Sequence, residues 1–205
     1  PATDDGRVFG AGSEGEAAAS VVDSAPPLPE LAARVEQVST GWADLSDYYA
    51  SEVAPIERVL LHYRNNEELT GRIAVALVRE ASAVGVEPRL LLAVLLVENP
   101  WLDPDIRSSV GAVGLMQVMP VHRGGWSCGY DLEDIDTNVC LGARVFKHYL
   151  DRSDGELERA LLRYNGCVTG SNTPDCHLYP SRVLAHASRA NTLAWGGQGP
   201  SAASP

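Results

Sequence analysis

The chain has 205 residues, 45% of them apolar, and a net charge of −11. That length supports one sizeable core. The charge argues against a nucleic-acid binder, which needs clustered Lys and Arg to neutralise phosphates, and offers no attraction to an anionic lipid surface. Residues 1–27 are rich in Gly, Ala, Ser and Asp and close on Ala25-Pro26-Pro27, the composition of a disordered spacer. Residues 196–205 read in the same way as a disordered tail.

Between these ends the periodicity is helical. Segments near 29–39 and 42–64 carry apolar residues at helical spacing, and residues 28–84 read as a helical accessory region. Asn66, ahead of Glu67 and Glu68, is a good helix start. Leu69, Ile73, Leu77 and Val84 mark one face of that helix, and Gly85 ends it. Pro88 opens the next helix. The run from Leu90 to Val97 has no polar face, so this helix is expected to be buried on all sides, and the run is too short to span a bilayer. Glu98 closes it, and Pro100 turns the chain out of helical geometry at about that point.

After a Gly-rich loop, Asp136 or Thr137 is expected to cap a helix bearing Leu141, Val145 and Tyr149. Asp154 is expected to cap another with Leu157, Leu161 and Tyr164, and Pro180 to open the last, with Val183, Leu184 and Ala187 inward. Few stretches alternate with period two, so the expected class is all-α, with at most a small hairpin near 121–135.

The four cysteines, Cys128, Cys140, Cys167 and Cys176, include no CxxC pair, which disfavours a zinc site. Three disulfide connectivities are open. Pairing Cys128 with Cys140 and Cys167 with Cys176 is preferred, because each closes a local loop around an expected helix end. The even count points to an oxidising compartment; the alternative is four buried free thiols. The five histidines show no HExxH pattern and the serines no GxSxG elbow, so neither a metal or other cofactor nor a serine nucleophile is expected.

Glu98 is the residue on which chemistry converges. At the wall of an apolar core and at a helix C-terminus, both desolvation and the negative end of the macrodipole favour its protonated form. A carboxyl held protonated near neutral pH is what a general acid for glycosidic cleavage requires. A Glu closing an apolar helix is by position alone more often only the first solvated residue, so its neighbours decide. Downstream stands Gly111-Ala112-Val113-Gly114-Leu115-Met116-Gln117-Val118-Met119-Pro120, then Asn138 and Gly142, the string Ala160-Leu161-Leu162-Arg163-Tyr164-Asn165-Gly166, and Tyr179 with Val183.

In order and spacing these residues resemble the Slt-type lytic transglycosylases of the goose-type lysozyme-like superfamily, over roughly residues 85–190. The resemblance implies a lysozyme-like helical catalytic domain, taken as residues 85–195. It also implies cleavage of the β-1,4 bond between N-acetylmuramic acid and N-acetylglucosamine in peptidoglycan, 1,6-anhydromuramoyl ends, and export to the bacterial periplasm or cell envelope. Carried over position by position, it makes Glu98 the sole catalytic acid and base. Ser108, Gln117, Met119, Tyr164, Asn165 and Tyr179 would contact the saccharide. Two departures stand out: Asn99 occupies the place where the family usually has Ser, and the segment from Glu98 to Gly111 is one residue longer than the common pattern.

Two other functions are compatible with these residues. A goose-lysozyme-like muramidase would need a second carboxylate to activate water, and Asp103, Asp105, Asp131, Glu133, Asp134 and Asp136 are candidates. A non-catalytic glycan-binding module would keep the fold, but has no need of a costly buried acid.

Overall fold

A computed structural model describes residues 28–167 and 175–196. The proposed spacer at 1–27 and nearly all of the proposed tail, residues 197–205, lie outside the described residues. The chain divides into two compact units, residues 1–42 and 43–205. Helix α1 (Leu28–Tyr48) crosses that boundary and is followed by a π-helical turn, Tyr49–Val53, and α2 (Ala54–Tyr63). Then come α3 (Glu67–Val84), α4 (Pro88–Glu98), α5 (Ile135–Asp151), α6 (Leu157–Tyr164) and α7 (Tyr179–Trp195). The class is all-α, as the periodicity and the resemblance implied. Among the described residues there is no β-strand, only isolated bridges from Val113 to Arg107 and to Val118. Short 3-10 turns, Pro120–His122 and Gly125–Ser127, occupy the region allowed for a hairpin.

The boundaries around the central helix follow local rules. The Asn66 side chain accepts from the Leu69 amide at 3.0 Å and caps α3. Gly85 stops α3 in the left-handed conformation, φ 68°, which glycine adopts without steric cost. Two residues later the Glu87 carboxylate accepts from the Leu90 amide while Pro88 supplies the first turn of α4. Leu91 through Leu96 are essentially inaccessible to solvent, so α4 is the axis of the core. Helix α7 packs against it, and α3 packs against α2 and α5. Core residues from Val53 to Ala194 form one cluster, so residues 53–84 share the hydrophobic interior of residues 85–194.

Two caps differ from expectation. Helix α5 is capped by Asp134, whose carboxylate accepts from the Thr137 amide at 2.8 Å. Asp136 instead pairs with Arg79 at 2.9 Å and faces Arg72 at 3.9 Å. Asp154 does not cap α6. It sits in the left-handed region, φ 55°, in the turn where the Asp154 and Gly155 amides donate to Asp151 and Leu150 carbonyls, so it finishes α5. On α7, Val183 is buried as expected, whereas Leu184 is 53% exposed because the helix turns it away from α4.

Candidate active site

Glu98 is the last residue of α4 and partly buried, with Asn99 as the C-cap. Asn99 is fully buried. Its amide donates to the Asp103 carbonyl at 2.7 Å and the Gly114 carbonyl at 3.2 Å, and its side-chain oxygen accepts from the Asp103 amide. One side chain thus ties the chain leaving the acid to the Gly-rich loop. A serine hydroxyl has one proton to donate, so it could not span both carbonyls.

The Gly-rich loop is held from the other side by Asn138 of α5. Its amide nitrogen donates to the Val113 and Leu132 carbonyls at 2.9 and 2.7 Å, and its oxygen accepts from the Met116 amide at 2.8 Å. Gly114 has φ 79°, and an added Cβ would strike the Asn138 amide and the Leu132 carbonyl. At Gly142 a Cβ would lie 2.6 Å from Met116 Cβ, so the helix must be bare there for the loop to dock.

This packing creates a cleft of about 510 Å³ beside Glu98. Ser108, Gln117, Met119, Tyr164 and Asn165, far apart in sequence, line it together with Glu98. Ser108 braces a tight turn: its hydroxyl accepts from the Ala112 amide at 3.0 Å, and its own amide donates to the Ala112 carbonyl. Gln117 sits at φ 47° with its amide donating to the Gly114 carbonyl at 2.9 Å. Met119 is 41% exposed. The Tyr164 hydroxyl donates to the Met116 carbonyl at 2.8 Å, so it has an acceptor lone pair to offer the cleft and no free proton. Buried Tyr179 opens α7 and donates its hydroxyl to Glu98 Oε1 at 2.6 Å.

Burial pushes the Glu98 carboxyl from the usual 4.5 up to about 7, against the Tyr179 hydrogen bond, which favours the ionised form. Burial and then the negative charge of Glu98 hold both tyrosines well above their ordinary range, so they remain neutral donors and acceptors. Val145, Tyr149, His122 and Arg163 also line the cleft. Val145 and Tyr149 read in sequence simply as the apolar face of α5, Arg163 lay within the string at residues 160–166 without being assigned a role, and His122 carried no motif that marked it.

Among the described residues, Glu98 is the only carboxylate lining the cleft. The other candidates are engaged elsewhere. Glu133 pairs with Arg107, Asp134 caps α5, and Asp136 pairs with Arg79. Asp103 and Asp131 each accept a backbone amide two residues on, those of Asp105 and Glu133, and Asp105 is exposed.

The bridges Cys128–Cys140 and Cys167–Cys176 are both formed. The first joins the loop after the 3-10 turns to α5. The second brings the chain leaving α6 to the turn that leads into Tyr179. No helix among the described residues is long and apolar enough to cross a membrane.

Residues 77–172 match the profile of the transglycosylase SLT domain. A protein of Enterobacteria phage PRD1 named "Transglycosylase" is 33% identical over 118 residues, which cover 56% of this chain. The chain spans 41% of that protein's length. The span of the profile takes in α4, the Gly-rich loop, α5 and α6, and so Glu98 and most of its cleft. Over residues 77–172 this chain is therefore similar to the transglycosylase SLT domain, the family to which its sequence motifs pointed.

Proposed function

We propose that the protein is a peptidoglycan lytic transglycosylase that cleaves the bond between N-acetylmuramic acid and N-acetylglucosamine without consuming water, with Glu98 as acid and then base. The observation that carries this reading is that, among the described residues, a single carboxyl, with a pKa of about 7, lines the cleft. Protonated Glu98 gives its proton to the leaving glycosidic oxygen. Positive charge at the anomeric carbon is met by the substrate's own 2-acetamido carbonyl, which replaces the second carboxylate of ordinary glycosidases. Ionised Glu98 then takes the proton of the C6 hydroxyl, whose oxygen closes on C1 to form the anhydro ring. Proton transfer of this kind contributes about 10²- to 10⁴-fold.

Buried Tyr179, behind Glu98, and the residues lining the cleft act by position. Tyr179 steadies the ionised state of Glu98 between the two proton transfers and keeps its Oε1 fixed. Tyr164, its proton committed to Met116, accepts from a sugar amide or hydroxyl, while Ser108, Gln117, Met119 and Asn165 form the walls against which the saccharide lies. An inverting hydrolase would need a second carboxylate in the cleft to activate water. Two disulfides favour work in an oxidising compartment, consistent with the cell envelope.

The test is mass spectrometry of the products released from peptidoglycan sacculi. Muropeptides lighter than the hydrolytic ones by one water support anhydro-ring formation. Reducing ends would overturn it in favour of water attack, and absence of release by the folded protein would favour a binding module.

A further inference from the structure

The N-terminal helix carries a pattern that the catalytic reading leaves unused. Apolar residues fall at 28, 31, 35, 38, 42, 45 and 49, alternating steps of three and four through three heptads. Such spacing keeps one seam facing a partner helix. Val35, Val38, Trp42 and Leu45 are 58%, 59%, 67% and 56% exposed. At the π-helical turn one extra residue enters the pattern, and the stripe resumes at Val53, Ile56 and Leu60, all buried. The same stripe therefore forms core after the turn, whereas Val35, Val38, Trp42 and Leu45 are exposed before it.

We infer that the α1 seam pairs with the α1 seam of a second copy of this chain in a helical coiled coil. The charges support self-pairing. Glu30, Glu36, Asp44 and Asp47 all fall on the outer face of the heptad, whereas the positions flanking the seam are Ala32, Arg34, Ser39, Gly41, Ser46 and Tyr48. A chain of net charge −11 thus brings no carboxylate against its own image along the contact. The small flanking residues leave room for Trp42, and nothing lies within 4 Å of where a Gly41 Cβ would be.

The size is sufficient. Burying a Val or Leu removes ~60–120 Å² and a Trp ~150 Å² or more. With Tyr49 and the flanking stems the seam covers roughly 500–700 Å² per copy. The pair buries about 1,000–1,400 Å², which reaches the range of specific interfaces.

The experiment is sedimentation equilibrium of the full chain, alongside Val38→Glu at the centre of the seam and Thr40→Glu on the outer face. The wild type and Thr40→Glu should show the mass of two chains and Val38→Glu half of it, with unchanged far-UV circular dichroism for the catalytic helices. A monomeric wild type overturns the inference, whether the seam is covered by its own chain or, in a flotation assay with phosphatidylcholine vesicles, by lipid. A Val38→Glu protein that stays dimeric overturns it too, because the contact then lies elsewhere. If Val38→Glu loses its fold, Trp42→Ser is read in its place. None of these outcomes depends on the reaction catalysed.

Discussion

Replacing Glu98 by Gln separates the chemistry of the site from its energetics. Gln keeps the shape of the side chain and an oxygen to accept from Tyr179, but it cannot ionise. The Glu98 pKa is about 7 in the fold against an ordinary 4.5, and burial is the principal cause. The unfolded chain therefore gives up this proton first as pH rises. Its contribution to stability is intact below 4.5, is lost progressively as pH climbs to about 7, and is wholly lost above. A gap of that size corresponds to about 3 kcal/mol at full ionisation, and to less than about 1 kcal/mol near pH 5. Glu98→Gln should therefore be more stable than the wild type by about 3 kcal/mol near pH 8, with most of the gain gone near pH 5. Turnover of peptidoglycan should be lost with glycan binding retained. Urea denaturation at the two pH values gives the answer. A stability difference that is absent at both, or equal at both, would refute a desolvated carboxyl, and undiminished turnover would remove Glu98 from the mechanism.

The neighbours of Glu98 give further tests. Tyr179→Phe removes the hydrogen bond that favours the ionised carboxylate, so the alkaline limb of kcat/KM should move up by about one pH unit while kcat falls; a limb that stays in place would show that Tyr179 has no hold on the acid. Asn138→Ala strands the Met116 amide and the Leu132 carbonyl in the interior and leaves the Val113 carbonyl with the Val118 amide alone, and should cost at least about 2 kcal/mol in chemical denaturation. A loss below about 1 kcal/mol would mean that the loop is held by other contacts. Serine at both Cys167 and Cys176 opens a loop with a sequence separation of 9 and should cost about 2–3 kcal/mol, read as a lower Tm. Equal Tm values for the variant and the parent would contradict that constraint.

Much of the architecture was legible along the chain, because it rests on local interactions. An unbroken apolar run opened by Pro88, if helical, has no face to give to solvent, so Leu90 to Val97 pointed to both the axis of the core and the setting of the acid at its end. Asn66, Gly85 and Pro88 marked their boundaries through dihedral and hydrogen-bond preferences that need no tertiary context. The string around Gly114 and Met116 was distinctive enough to carry a family resemblance by itself. Asp134, Asp136 and Asp154 show where such reasoning stops. All three suit a helix start, and the choice among them followed from Arg79 on a distant helix and from the turn that closes α5. Tertiary structure alone decided which tyrosine meets the acid. Tyr164 and Tyr179 read alike in sequence, but α7 packs on α4 and delivers Tyr179 to Glu98, while α6 delivers Tyr164 to the Met116 carbonyl. It also decided that the candidate carboxylates from Asp103 to Asp136 turn to arginines, amides or solvent and leave Glu98, among the described residues, as the single acid in its cleft, since a titratable group's environment is set by what packs around it in three dimensions and not by its neighbours along the chain.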